Sequence, residues 1–330
     1  MADLTYRENS LLALRHQEPE FLPMIQDIQT CTPRGMDFVC ESSCVPGTAN
    51  DWFGQSWTYE PNIGAANPTP GVHLVPDITL WKEYMTFPDL SKLDWEGYSS
   101  RDPPSWDREK HLTRINDLFG PWERMFSVME FQEALCALVE EPEACYDFFG
   151  AIADHKIRLY EYIIRYYQPD ILCMHDDYGH GKGMFMSPET WRALIKPHLQ
   201  RIIDMVTSHG VIYEHHCCGY FAPILGEIAD MRCAATNLVH RSNQPAVLKK
   251  EIGHKMCMIG AFDTQYLDAA STSEEELRAS VRKTILEMAP GGSYITLCNL
   301  KTPGRNALVT DEIRKSSFHC YSRPRPDAQE

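Results

Sequence analysis

The sequence predicts an α/β protein, a (β/α)8 TIM barrel with an irregular, loop-rich N-terminal region. Two observations carry the prediction. From about residue 120 onward, short apolar strand patterns alternate with helical patterns. Residues capable of chemistry also recur at the ends of those strands, which is where barrels of this class assemble their sites.

The candidate strands are 21–26, 124–129, 170–175, 211–216, 236–240, 255–262 and 293–298. These make seven, and an eighth is expected within the irregular first third. The longest helical pattern, 142–167, repeats apolar residues at three and four spacing. Ser187-Pro188-Glu189 and Thr272-Ser273-Glu274-Glu275 have the form of helix starts, with an N-cap residue, a proline in the first turn or a capping box. Residues 31–107 are rich in Pro, Gly, Asn and Trp with little periodicity, which predicts long ordered loops and a hairpin around Trp52 to Tyr59. We treat 1–330 as a single barrel domain with 31–107 as its elaboration. An open doubly wound sheet is the alternative, but no Gly-x-Gly-x-x-Gly follows a strand and opens a helix, which weakens its dinucleotide-binding form.

A chain of 330 residues with 43% hydrophobic content can bury a sizeable core. Its 46 acidic against 31 basic residues leave a formal charge of -15, which argues against a nucleic-acid or anionic-membrane partner. The N-terminus lacks the basic and then apolar run of a signal peptide, and no window of about 18 apolar residues follows, so a cytoplasmic protein is expected. The 12 cysteines are then expected to stay reduced. Cys136, Cys145, Cys173, Cys233 and Cys257 lie in apolar runs and are expected in the core.

Glu214-His215-His216-Cys217-Cys218-Gly219 is the segment richest in chemistry. Side chains two apart on a strand share a face, so Glu214, His216 and Cys218 should project together. With Cys298 from a later strand end they offer one imidazole, two thiolates and a carboxylate, a set suited to Zn2+. His215 and Cys217 have the opposite parity and are expected to pack outward against a helix. Asp176 and Asp177 form a general acid and base pair, or one of them caps the turn Tyr178-Gly179-His180-Gly181. Glu214 is either a fourth metal ligand or a residue of the barrel rim. His175, His240 and Asp263 also end candidate strands, so all of these residues converge at one mouth if the barrel forms. Trp57 is expected to hold its loop down by packing, whereas Trp52 either packs or stacks on a flat substrate.

These residues carry a resemblance that extends over most of the chain. Asp176-Asp177-Tyr178-Gly179, Met186-Ser187-Pro188-Glu189-Thr190-Trp191-Arg192, Ile195-Lys196-Pro197, His216-Cys217-Cys218-Gly219, Ile259-Gly260-Ala261-Phe262-Asp263 and Pro290-Gly291-Gly292 resemble the uroporphyrinogen decarboxylase superfamily, whose fold is a (β/α)8 barrel. Arg7-Glu8-Asn9-Ser10-Leu11-Leu12-Ala13-Leu14 and Asp51-Trp52-Phe53-Gly54 fit the same pattern. Decarboxylases proper carry Arg-Gln-Ala-Gly-Arg after the first strand to hold substrate carboxylates, but here that place reads Met24-Ile25-Gln26-Asp27-Ile28-Gln29.

A His-x-Cys followed by a distant Cys resembles instead the corrinoid-dependent methyltransferase branch, in which these residues bind zinc. The resemblance implies that His216, Cys218 and Cys298 are the ligands. It implies two possible reactions: demethylation of a methoxylated, aromatic donor onto reduced cobalamin, or transfer from a methylated corrinoid to a thiol such as coenzyme M. The long aromatic first third is more similar to the demethylating enzymes. Asp176, Asp177, His240 and Asp263 are the expected acid and base residues, and Trp52 and His175 the expected substrate contacts. No Asp-x-His-x-x-Gly corrinoid motif occurs, so the cobalamin is expected on a separate corrinoid protein.

Overall fold

A computed structural model describes residues 4–33, 48–62, 65–103, 105–318 and 320–321. Ten strands are described: β1 (Ile28–Cys31), β2 (Thr48–Asn50), β3 (Ser56–Glu60), β4 (Ala65–Pro68), β5 (Leu112–Asp117), β6 (Ile171–His175), β7 (Ile212–His216), β8 (Ala235–Val239), β9 (Cys257–Gly260) and β10 (Tyr294–Ile295). Seven of them form one parallel sheet in the order β1-β5-β6-β7-β8-β9-β10, with helices in the connections. Parallel neighbours require a crossover, and the alternating strand and helix patterns supply one each time. The ends of the sheet approach one another, since Met24, just before β1, bridges Thr296, just after β10, in parallel.

The remaining strands make a small antiparallel sheet, β2-β3-β4. Its first hairpin is the one expected around Trp52, and Trp57 is buried at 2% exposure with its indole N–H donated to Asp51. The same Asp51 carboxylate accepts from Arg124 at 2.9 Å, which fastens the small sheet to the helix Pro121–Val128.

Five expected strands correspond to β6 through β10. The other two are corrected. Residues 21–26 contribute only the Met24 bridge and then turn through a 3-10 segment, Ile25–Asp27, before β1 begins. Residues 124–129 lie in or just beyond the helix Pro121–Val128, where proline at the first position and buried Trp122, Met125 and Val128 at three-residue spacing favour a helix. The strand that precedes it, β5, was not expected, because its inward face carries Arg114 and Asn116 after a single apolar residue, Leu112. Among the described residues the main sheet therefore has seven strands rather than eight.

Helix 142–167 is present as Pro142–Tyr167. Ser187 caps Pro188–Leu194, and Ser273 with Glu276 forms the capping box of Glu274–Met288. Of the cysteines expected in the core, Cys145, Cys173, Cys233 and Cys257 are buried, whereas Cys136 is exposed. Its helix, Phe131–Glu140, buries Ala134, Ala137 and Leu138, which leaves Cys136 on the opposite face.

Side chains on the concave face of the sheet are layered. At the amino ends of the strands, Ile28, Leu112, Ile171, Ala235, Cys257 and Ile295 form an apolar plug, closed by Ala13 and Leu14 of the first helix, Tyr6–Leu14. Two residues further along β5, β6, β7 and β8 the layer becomes polar, with Arg114, Cys173, Glu214 and Asn237. One step beyond lie Asn116, His175 and His216, at the carboxyl ends. No described helix is long and apolar enough to cross a membrane.

Candidate metal centre at the carboxyl ends of the strands

Three loops meet above β5, β6 and β7, and glycines allow them to do so. A Cβ on Gly120 would fall against the Asp176 side chain, one on Gly179 against the Tyr220 carbonyl, and one on Gly219 against the Gly179 carbonyl. Gly219 also has φ +76°, a conformation that glycine adopts without strain. The close backbone approach brings Asp177 over the Cys218 amide, which donates to its Oδ1 at 2.5 Å.

One ligand atom each from Asp177, His216 and Cys218 lies within 4.8 Å of the other two. His216 Nε2 is 3.3 Å from Cys218 Sγ and 3.9 Å from Asp177 Oδ1. All three residues are half-buried, so the cluster is enclosed but reachable. Burial, followed by the charge of Asp177, pushes the Cys218 thiol well above its ordinary range. A bound cation would reverse that, since metals take cysteine as thiolate and release its proton. An imidazole, a thiol and a carboxylate are the donor types that zinc accepts, so the residues present fit the ion.

His216 stacks on His175, its register partner on β6. On its other side, His216 Nδ1 lies 2.6 Å from Asn237 Oδ1. The amide nitrogen of Asn237 reaches Glu214, whose two oxygens accept from Arg114 at 2.9 and 2.7 Å. Burial alone would raise the Glu214 pKa, but Arg114 beside it holds the carboxyl below its ordinary value.

The sequence-derived residues therefore separate. His216 and Cys218 come together and Asp177 joins them. Glu214 has the expected parity but lies one layer deeper, with its carboxylate taken up by Arg114 and Asn237. Cys298 is buried outside the cluster, its thiol pushed up to about 12 by burial and then by Asp268. Asp176 is fully buried and accepts from the Trp122 and Glu123 amides at the start of the helix Pro121–Val128, rather than capping the Tyr178 turn. Burial, only partly offset by those amides, raises it to about 7. His215 stacks on Tyr178 and Cys217 Sγ accepts from the Tyr178 amide, so both pack on the far side of the strand.

Further round the mouth, His240, Arg241, Phe262, Asp263 and Leu297 line a cavity of about 210 Å³. Asp263 is exposed and caps the helix Thr264–Asp268 by accepting from the Tyr266 amide. Trp52, half-buried on the small sheet's first turn, meets His155 edge-on at 6.1 Å.

Four residues around the cluster were missed by the sequence reading. Arg114 and Asn116 were hidden with the unrecognised β5. Asn237 was visible as a polar residue inside an apolar strand. Glu123 lies just before the segment 124–129 that was expected to be a strand, and the helix Pro121–Val128 takes it in; burial and then the charges of Asp177 and Asp176 raise its pKa well above the ordinary value.

The family model of uroporphyrinogen decarboxylase (URO-D) matches residues 109–299, which span β5 to β10 and every residue of the cluster. The chain belongs to the uroporphyrinogen decarboxylase family. A solved structure described as a methyltransferase from Methanosarcina mazei is similar with a TM-score of 0.65 and 14% identity, covering 95% of this chain and 99% of that one. At that identity the likeness concerns the fold. No curated protein matches the chain. Met24 to Gln29, which carry no arginine, form the bridge to Thr296, the 3-10 turn and the start of β1.

Proposed function

We propose that this chain is a cytoplasmic, corrinoid-dependent methyltransferase of the uroporphyrinogen decarboxylase family. In this reading it removes a methyl group from a methoxylated, aromatic donor and passes it to the cob(I)alamin of a separate corrinoid protein. The observation that carries the reading is the half-buried His216, Cys218 and Asp177 cluster at the carboxyl ends of a parallel sheet. It coincides with the His-x-Cys motif that resembles the methyltransferase branch. The Met24 to Thr296 bridge, which joins the two ends of the seven-stranded sheet, supports closure into a barrel of the (β/α)8 type, whose mouth would hold the donor.

His216 and Cys218 would hold zinc, with Cys298 as the third protein ligand expected from the resemblance. Bound there, zinc supplies Lewis acidity to the ether oxygen as the methyl group leaves. The chain's own residues do the rest. Asp177 holds the Cys218 amide and so keeps the thiol beside His216. In place of the Lewis acid, Asp177 or His240 is the alternative source of a proton for the departing oxygen. The cavity beside His240 and Asp263 is the proposed site of the aromatic ring, with Trp52 and His175, which do not line it, carried as ring contacts by the resemblance alone.

The test is to mix this chain with a reduced corrinoid protein and a panel of methoxyaromatics, and to follow the cobalt absorbance. Methylation of cobalt by one donor is the expected result. If no donor methylates cobalt while a methylcorrinoid is consumed by a thiol, the direction proposed here is wrong. Cys218→Ala should abolish bound zinc and turnover but leave the fold intact. Loss of the folded state together with the metal would instead indicate a structural site.

A further inference from the structure

We infer that Asn237 fixes the proton of His216 on Nδ1, and that Glu214 and Arg114 hold Asn237 in the orientation that does so. The inference rests on the metal reading above only for its purpose, because the hydrogen-bond logic stands without an ion. Glu214 is fully buried and receives two hydrogen bonds from the Arg114 guanidinium. An ionised carboxylate only accepts. The Asn237 group facing it must therefore be the NH2, which donates to Glu214 and lies 3.6 Å from Cys173 Sγ. A flipped amide would set its oxygen against the carboxylate and leave a buried acceptor unpaired.

With the amide so placed, Asn237 Oδ1 faces His216 Nδ1 at 2.6 Å. A carbonyl oxygen cannot donate, so the hydrogen between them belongs to Nδ1. Nε2 is left as a lone pair, directed toward Cys218 Sγ at 3.3 Å. A neutral imidazole in water favours the opposite tautomer, with its hydrogen on Nε2. The relay thus gives His216 its less common form, the one that presents Nε2 to a metal. Metal-binding histidines are commonly oriented by a partner on their other ring nitrogen.

Arg114, Glu214 and Asn237 lie on β5, β7 and β8, and Asn237 is the register partner of His216. They are positioning residues, and Glu214 acts one layer below the ligands rather than as one of them. Three strands of one sheet supply the relay, so it depends on the sheet and not on one loop.

The test uses the full chain, stripped of metal and labelled with 15N, in a long-range 1H–15N correlation spectrum at neutral pH. The expected pattern is a protonated Nδ1 and an unprotonated Nε2 for His216, assigned with His216→Ala. A protonated Nε2 would overturn the inference directly, whatever the metal does. Asn237→Leu should move His216 toward the Nε2–H form and weaken Co2+ binding, read from the thiolate-to-cobalt absorption, by ~10–100-fold. If Asn237→Leu leaves both tautomer and Co2+ affinity unchanged, the relay is refuted. The metal reading fails separately, if the native chain takes up no Co2+ or His216→Ala binds it equally well.

Discussion

His175 and His216 lie face to face, their ring centroids 3.8 Å apart and their planes 10° from parallel. They end neighbouring strands in register, so the stack is a consequence of the β6–β7 pairing. Two rings this close are poorly suited to a second positive charge. Burial, then His216 itself, holds His175 well below its ordinary pKa, and burial lowers His216 as well.

Stability is therefore expected to fall as the solution is acidified. His155 and His215 are also buried, and burial pulls His155 well below its ordinary value and His215 down to about 3. Below pH ~6.5 the unfolded chain binds protons that these folded histidines refuse, so each one costs up to ~1.4 kcal/mol per pH unit. Their contribution is complete above pH ~6.5 and is lost progressively below it. Urea unfolding at a series of pH values should show this decline, and a flat profile from pH 7.5 to 5 would contradict it.

Asp176 works in the opposite sense. Its folded value of about 7 lies above the ordinary carboxyl range, so between pH ~4 and 7 the folded state keeps a proton that the unfolded state releases. Its contribution is present at low pH and lost as pH rises through that window. Asp176→Asn keeps an oxygen for the Glu123 amide, the shorter of the two contacts, and removes the titration. The stability of this variant relative to the native chain should rise with pH from 4 to 7; a constant difference would show that Asp176 is not protonated.

The glycine contact between the two site loops predicts a sharp local cost. Gly219→Ala combines a left-handed backbone with a collision at the Gly179 carbonyl. It should destabilise the chain by ~2–3 kcal/mol. Gly210→Ala, also at positive φ but with open space around it, should cost less. Thermal unfolding of the two variants checks the order.

The buried Asp51 carboxylate holds the small sheet to the site-bearing helix through Arg124, Trp57 and the Phe53 and Gln55 amides. Removing one charge strands the other, so Arg124→Met alone should cost ~3–5 kcal/mol. The double variant Arg124→Met with Asp51→Leu should recover part of that, because no unpaired buried charge remains. Equal losses in the single and double variants would mean that packing, not charge, dominates.

Ligand identity separates Cys298 from Asp177. If Cys298 closes on the metal as proposed, Cys298→Ser should lower Co2+ affinity and reduce the thiolate-to-cobalt absorption, while Asp177→Asn leaves that absorption in place. The reverse pattern would make Asp177 the third ligand.

Much of the chain was legible before its structure. β6 to β10 announced themselves as apolar runs between capped helices, and the His216 and Cys218 pairing followed from strand parity alone. β5 was not legible, because Arg114 and Asn116 face inward where an apolar pattern was sought. The next segment was misplaced for a related reason, since Met125 and Val128 suit a buried helix as well as a strand.

Residue types and their spacing by themselves determined the class of fold, the helix starts and the donor types available at one end of the sheet, because periodicity and capping are local properties. Only the tertiary structure decided which donors meet. Asp177 joined His216 and Cys218 through glycine contacts between loops about 40 residues apart. Glu214 shares their face but turned to Arg114, a partner 100 residues away in the chain, because a buried carboxylate is most stable beside a fixed guanidinium.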